Sequence, residues 1–337
     1  MIQVRRWLLS CLILIAGIVL VGGATRLTGS GLSMVDWRPI MGSIPPITAA
    51  AWDATFNAYQ QSPEFQKINY NMTLSEFKFI FFWEYIHRML GRLIGLFAVL
   101  PFIYFIIKKQ LPNGFKKQWL GIIILIGCQG LMGWYMVKSG LVDNPHVSHF
   151  RLAAHLSLAF LIFILILHQY LKALYPTGNI KRTRLSNLSL GLLVLIGLQI
   201  VYGAFTAGLD AGHFYNTTYP KMGSEWLPAA ALMYDGGWLG NALNNPIMVQ
   251  WVHRWLAVAV VIGGLLVWRD CIKQPKLTIQ YAGLAVLGAI GFQFILGIIT
   301  LLTGVWLPVA LAHQFGALVL LSTTATLHFF TTRDHIS

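Results

Sequence analysis

Apolar runs of about 20 residues recur along this chain, the length an α-helix needs to cross roughly 30 Å of hydrocarbon. Within lipid every backbone polar group must be satisfied inside the segment, so runs of this kind become helices. Eight spans are legible, near 7–24, 78–107, 119–138, 150–171, 187–207, 248–268, 279–302 and 309–330. With 56% hydrophobic and 10% charged residues, the composition excludes a soluble domain. The expected fold class is an all-α integral membrane protein with eight transmembrane helices. The N-terminus matches neither a cleavable signal nor an Arg/Ser-rich transit peptide, so the first span is expected to be retained.

A net charge of +13 invites a nucleic-acid partner, but its distribution argues against one. Arg5, Arg6, Lys108, Lys109, Lys116, Lys117, Lys172, Lys181, Arg182, Arg184, Arg269, Lys273, Lys276 and Arg333 all fall on one side of the eight-span arrangement. The opposite loops carry most of the acids, among them Asp36, Asp53, Glu64, Asp143, Asp210, Glu225 and Asp235. This is the positive-inside pattern, and it places both termini in the cytoplasm. Of the three cysteines, Cys11 and Cys128 lie in spans and Cys271 on the cytoplasmic side, so no pair is available for an external disulfide.

The chain also repeats itself, roughly as 1–175 and 187–330, joined by a basic linker around Lys181–Arg184. His87-Arg88 in span two returns as His253-Arg254 in span six. Leu-Ala-Ala-His155 in span four returns as Ala-Leu-Ala-His313 in span eight, and Gln129-x-x-x-Gly133 in span three as Gln293-x-x-x-Gly297 in span seven. These offsets cluster at 158–166 residues, and span five repeats the last spacing at Gln199 and Gly203. Four spans per half is even, so the halves enter the membrane the same way round, as parallel repeats. Two pseudo-symmetric four-helix bundles are expected, each with room for a cofactor between facing helices. Gly22, Gly23, Gly127, Gly133, Gly203, Gly291 and Gly297 are expected to let helix backbones approach closely. The three glutamines need polar partners across helices, or a contact with a cofactor edge.

His87, His155, His253 and His313 each sit a short way into an even-numbered span, all toward the same side. Four residues on, along the same face, stand Gly91, Ala159, Ala257 and Ala317. A histidine with a bare patch beside it suits a flat macrocycle bound edge-on, with imidazole on its iron. Two pairs of such helices would hold two haems. Zinc fits poorly, because two imidazoles alone leave it under-ligated. Cys-x-x-Cys-His is absent, so no thioether attachment is expected. His168 and His328, near the cytoplasmic ends of spans four and eight, read as interfacial or structural, and His335 as a solvated tail residue.

One point separates the halves. Glu84 stands three residues before His87, and Gln250 three before His253, each on the histidine's own face. A carboxylate within the membrane marks function by default. The plainer reading is an ion pair with Arg88, at i+4. Arg254 persists opposite Gln250, so the arginine does not require the acid, and either guanidinium suits the carboxylates of a haem as a bidentate donor. The second half reads as a holding site and the first as a site with a proton-active group.

Outside the membrane, residues 25–77 form a long first loop with Trp37, Pro39, Pro45, Pro46, Trp52 and Phe56. It ends at Thr73-x-x-Glu76, a capping box that would start a helix of about 34 residues. The long loop 208–247 is its counterpart, and the two are expected to lid the two pockets.

At these residues the sequence resembles haem A synthase. That family has eight helices, a duplicated four-helix unit, histidines on helices two, four, six and eight, and a Glu-x-x-His-Arg motif, here Glu84-Tyr-Ile-His87-Arg88. The stretch GGATRLTGSGLS at 22–33 is similar to the family's first-helix exit. The resemblance implies that His253 and His313 ligate a resident haem b with Arg254 nearby. It implies that His87 and His155 flank the iron of the substrate, haem O, with Arg88 nearby and Glu84 essential. The implied reaction oxidises a ring methyl of haem O to a formyl group, giving haem A for cytochrome oxidase. Many bacterial members carry a cysteine pair in the first outer loop and this chain has none there, which places it with the proteobacterial and mitochondrial branch. A bacterial plasma membrane is the expected location. Haem O synthase, the oxidase assembly machinery, an electron partner of unknown identity and further copies of the chain are the partners this reading admits. The competing readings are a di-haem cytochrome b passing electrons from quinol and a non-enzymatic haem carrier. Neither explains why Glu84 has no counterpart at Gln250.

Overall fold

The computed structural model describes residues 1–35, 44–112, 114–142, 145–175 and 180–333. Asp36, Trp37, Pro39, Asp143 and His335, singled out above, lie outside the described residues. Among the described residues the secondary structure is helical throughout, with no strand: α1 Ile2–Leu27, α2 Ala49–Gln60, α3 Pro63–Lys67, α4 Leu74–Ile107, α5 Phe115–Lys138, α6 His149–Leu174, α7 Arg184–Gly208, α8 Gly237–Asn244, α9 Pro246–Cys271, α10 Leu277–Leu302 and α11 Leu307–Thr331. Eight of these, α1, α4, α5, α6, α7, α9, α10 and α11, are long and apolar enough to cross a membrane. They fall on the eight spans read from the sequence. Large side chains such as Phe82, Leu100, Leu120, Leu265 and Phe292 are exposed along them, as a lipid-facing surface requires.

The chain packs as two compact units, Ser10–Ala159 and Met1–Leu9 with Phe160–Ser337. In the unit Ser10–Ala159, α4 runs 34 residues, or roughly 51 Å at the helical rise, well beyond the hydrocarbon thickness. Its start is fixed by the expected capping box. The Thr73 backbone N–H donates to Glu76 Oε2 at 2.7 Å, and the Glu76 N–H to Thr73 Oγ1 at 3.4 Å. The extra turns are not left bare. Phe77, Ile80 and Phe81 bury against Tyr59 of α2, with Trp52, Phe56 and Phe65 packed around them. The Tyr59 and Phe77 rings stack at 5.0 Å, and Trp52 meets Phe81 edge-on at 5.1 Å. The first outer loop is therefore an aromatic cap built on the outer end of α4. Deeper in the span, Trp119 of α5 donates from Nε1 to the Ala98 carbonyl at 3.0 Å, fastening α5 to α4.

In the other unit, the linker ends in a second capping box, Thr183 with Ser186, at the start of α7. Arg184 pairs with Asp270 of α9 at 3.1 Å. Asn245 caps α9, its side chain accepting from the Ile247 N–H at 3.0 Å, with Pro246 at the first helical position. His328 hydrogen-bonds Ser189 at 2.9 Å, and His168 meets the Phe329 ring at 5.6 Å. Both are packing residues, as the sequence implied.

Candidate functional site

Each of the four histidines lies in a notch on the preceding membrane-spanning helix. A Cβ built on Gly22 of α1 would sit 3.0 Å from His87 Nε2. One on Gly133 of α5 would sit 3.1 Å from His155 Cε1, one on Gly203 of α7 3.1 Å from His253 Cε1, and one on Gly297 of α10 3.0 Å from His313 Cε1. The sequence had suggested that these glycines bring helix backbones together. The closest group at each is instead an imidazole, and glycine is the residue that leaves it room. Gly127 and Gly291, grouped with them on sequence, have no such neighbour within 4 Å.

One turn before three of these glycines stands a glutamine that grips the histidine's backbone. Gln129 donates from Nε2 to the His155 carbonyl at 3.0 Å, Gln199 to that of His253 at 3.1 Å, and Gln293 to that of His313 at 2.9 Å. The fourth notch breaks the pattern. Ile18 occupies the position one turn before Gly22, and its Cδ1 would lie 3.7 Å from a Cβ on Gly91.

His155 lies within electrostatic reach of His87, and His253 within reach of His313. The fold thus assembles the pairs that the repeat implied. All four histidines are only half-buried, and so are Ala159, Ala257 and Ala317, while Gly91 is exposed. Each imidazole and the small residue one turn on therefore keep some exposure.

Glu84 is buried, 2% exposed, and fully engaged. Its Oε2 accepts from Ser33 Oγ at 2.6 Å and from the Met34 N–H at 2.8 Å, while Oε1 pairs with Arg88 Nη2 at 2.5 Å. The same Nη2 donates to the Met34 carbonyl at 3.0 Å. The ion pair that the sequence left as the plainer reading is present. At the matching position Gln250 is equally buried, and its Nε2 donates to the carbonyls of Ala211 and Phe214, both at 2.6 Å. Arg254 donates to Gln250 Oε1 at 2.9 Å and to the carbonyls of Tyr215, Thr218 and Lys221 at 2.9, 3.1 and 3.0 Å. Both acid or amide positions fasten the histidine helix to the outer loop just before it. A carboxylate serves where the loop offers donors, and an amide where it offers carbonyls.

Ser33 and Met34 were not singled out by sequence reasoning. Their signal was the turn-rich end of the 22–33 stretch. There Ser30 N–H closes back on the Thr25 carbonyl at 2.8 Å, bringing the chain past the end of α1 to the face of Glu84.

An eight-span membrane protein with two imidazole pairs in glycine notches, one beside a buried carboxylate, is the class that fold and site define. The chain belongs to the cytochrome oxidase assembly protein family, COX15-CtaA, whose model matches residues 5–325. It is 43% identical over 317 residues to the heme A synthase of Rhodospirillum centenum, covering 93% of this chain and 84% of that protein. It is 42% identical to the heme A synthase of Flavobacterium johnsoniae, over 96% of both chains. With the heme A synthase of Rickettsia bellii it shares 42% identity, over 95% of this chain and 96% of that one.

Proposed function

We propose that this protein acts as a haem A synthase, oxidising a ring methyl of haem O to a formyl group to give haem A for cytochrome oxidase. The observation that carries this reading is a histidine frame built twice, of which one copy alone presents a carboxylate. The family membership and the relatives' names support it.

The residues fit haem. In each pair one imidazole lies within electrostatic reach of the other, and among the described residues no group of three or more His, Cys, Asp or Glu gathers as a tetrahedral zinc site would need. Haem would bring its own ring nitrogens to the iron, and the imidazoles of each pair would be its protein ligands. The small residues one turn from the histidines suit a flat ring. The Nδ1 atoms of His253 and His313 and the Oε1 atoms of all three glutamines are buried without a protein partner, so polar capacity remains at the sites.

On this reading the half 187–330 holds a resident haem b between His253 and His313, with Arg254 beside it. The half 1–175 receives haem O between His87 and His155, with Arg88 beside it. Bound haem b supplies one-electron redox chemistry. Converting the methyl to a formyl group adds one oxygen atom and, with water as its source, passes four electrons to an external acceptor and releases four protons, so a proton acceptor near the reacting carbon is useful. Glu84 fills that role as an oxidoreductase residue acting at a C–H group. Ser33, Met34 and Arg88 orient its carboxylate, which is buried. The positive-inside distribution of Lys and Arg supports cytoplasmic termini, in a bacterial plasma membrane on this reading. Haem O synthase would supply the substrate and the oxidase assembly machinery would take the product.

Pigment extraction from the purified protein tests the reading. Haem b together with haem O and haem A is the expected mixture. Haem b alone would make the protein a di-haem electron carrier and overturn the proposal.

A further inference from the structure

The first outer loop buries a second acid that the reaction above does not use. Glu64, on α3, is 7% exposed, and Tyr59 of α2 is fully buried beside it. The Tyr59 hydroxyl donates to Glu64 Oε2 at 2.9 Å and accepts from Asn69 Nδ2 at 2.9 Å. The Glu64 carbonyl accepts from the backbone N–H groups of Ile68 and Asn69 at 2.9 and 3.0 Å, which fixes the loop around it. Among the described residues no cation pairs with Glu64. The titratable groups whose charge it feels are Tyr59 from α2 and Glu84 from α4. Tyr59 feels Glu84 as well.

The two acids share a wall. Met34, whose N–H donates to Glu84, packs with its side chain against the cluster of Tyr59, Phe77 and Phe81. A buried carboxylate with no counter-cation is costly, and a second negative charge nearby adds to that cost. Arg88 and two further donors offset a charge on Glu84, whereas Glu64 has a single phenol donor.

We infer that Glu64 is the proton-release group of the outer cap, holding its proton while Glu84 carries a charge and discharging it to the outer water when Glu84 takes up a proton. The inference rests on the proposed reaction for its purpose but not for its electrostatics. The step balances: one proton is bound at Glu84, and one leaves Glu64 for water. No hydrogen-bonded wire between the acids is needed, because the coupling is charge against charge. Burial first, opposed by the Tyr59 hydrogen bond and reinforced by the charge on Glu84, pushes the Glu64 carboxyl up to about 7. That is where release at neutral pH is balanced. Glu64 acts through Glu84 and is a positioning residue for the proton.

Infrared titration of the purified, full-length protein tests this without any turnover. Wild type should show a carboxyl C=O band titrating near neutral pH, and Glu64→Gln should lack it. Glu84→Gln, which removes the neighbouring charge, should move the midpoint to lower pH. Tyr59→Phe, which removes the donor to the ionised form, should move it higher. An unchanged midpoint in Glu84→Gln would overturn the coupling, as would a neutral-pH band that survives in Glu64→Gln. Should Glu64→Gln fail to accumulate, the opposite shifts in Glu84→Gln and Tyr59→Phe decide alone. In cells supplied with haem O, Glu64→Gln should lower haem A several-fold at unchanged haem b; unchanged haem A would overturn the release role. If wild type makes no haem A while the coupled titration holds, the proposed reaction fails and the electrostatic pairing stands.

Discussion

Glu84 and Gln250 stand at matching positions three residues before a histidine, and each fastens its helix to the outer loop, the acid by accepting and the amide by donating. The fastening is present at both positions with opposite polarity, and of the two side chains Glu84 alone is a carboxylate.

The glycine notches yield the first test. Gly203→Ala or Gly297→Ala would press a methyl group into His253 or His313 at 3.1 or 3.0 Å, and overpacking of this kind costs about 1–3 kcal/mol. Haem b content should fall while the protein still inserts. Gly291→Ala, in the same helix as Gly297 with nothing within 4 Å, should leave haem b unchanged. Equal haem content in all three variants would mean that the notches do not position the imidazoles.

A division of labour between the halves gives the second. His253→Ala and His313→Ala should each abolish a low-spin haem b signal, and His87→Ala should spare it. Spectra of the purified variants decide this, and loss of the same species from all three would remove the distinction.

Stability of the outer cap should depend on pH. The Glu64 carboxyl lies above its ordinary value when the cap is folded, so the folded form binds the extra proton. The cap's contribution is complete below the unfolded value and is lost as pH rises through about 7. The full difference amounts to roughly 3 kcal/mol at high pH. Hydrogen exchange over 49–73 should quicken across that window in wild type and stay flat in Glu64→Gln. An equal pH response in both would show that Glu64 does not set it.

The sequence carried the architecture because lipid leaves few options. Span length, basic loops and the capping box at Thr73 located the eight helices and the long α4. It carried the histidine pairs because the repeat supplied its own control. The purpose of the glycines was not legible, since a glycine that makes room for a helix and one that makes room for an imidazole look alike in a row of letters. Gln129, Gln199 and Gln293 were recognised as needing partners, but their common target, the histidine carbonyl, depends on helix rotation. The aromatic cap on α4 and the reach from Ser33 to Glu84 join residues 18 to 51 apart through loops without periodicity. The Glu84–Arg88 pair was foreseen as an alternative to function. The pair is present, and it is compatible with the proposed role because Arg88 orients the carboxylate.

Glu84→Gln bears most directly on the central claim, read by chromatography of the haems in cells supplied with haem O, beside the yield of folded protein. The amide keeps the volume but must turn a donor toward either Arg88 or the Ser33–Met34 edge, so a modest loss of yield is expected, about 1–3 kcal/mol of local stability. Ser33→Ala, which loosens the same fastening and keeps the carboxylate, is the control. Glu84→Gln should retain haem b, accumulate haem O and make no haem A, while Ser33→Ala still makes it. Normal haem A from Glu84→Gln would remove Glu84 from the reaction.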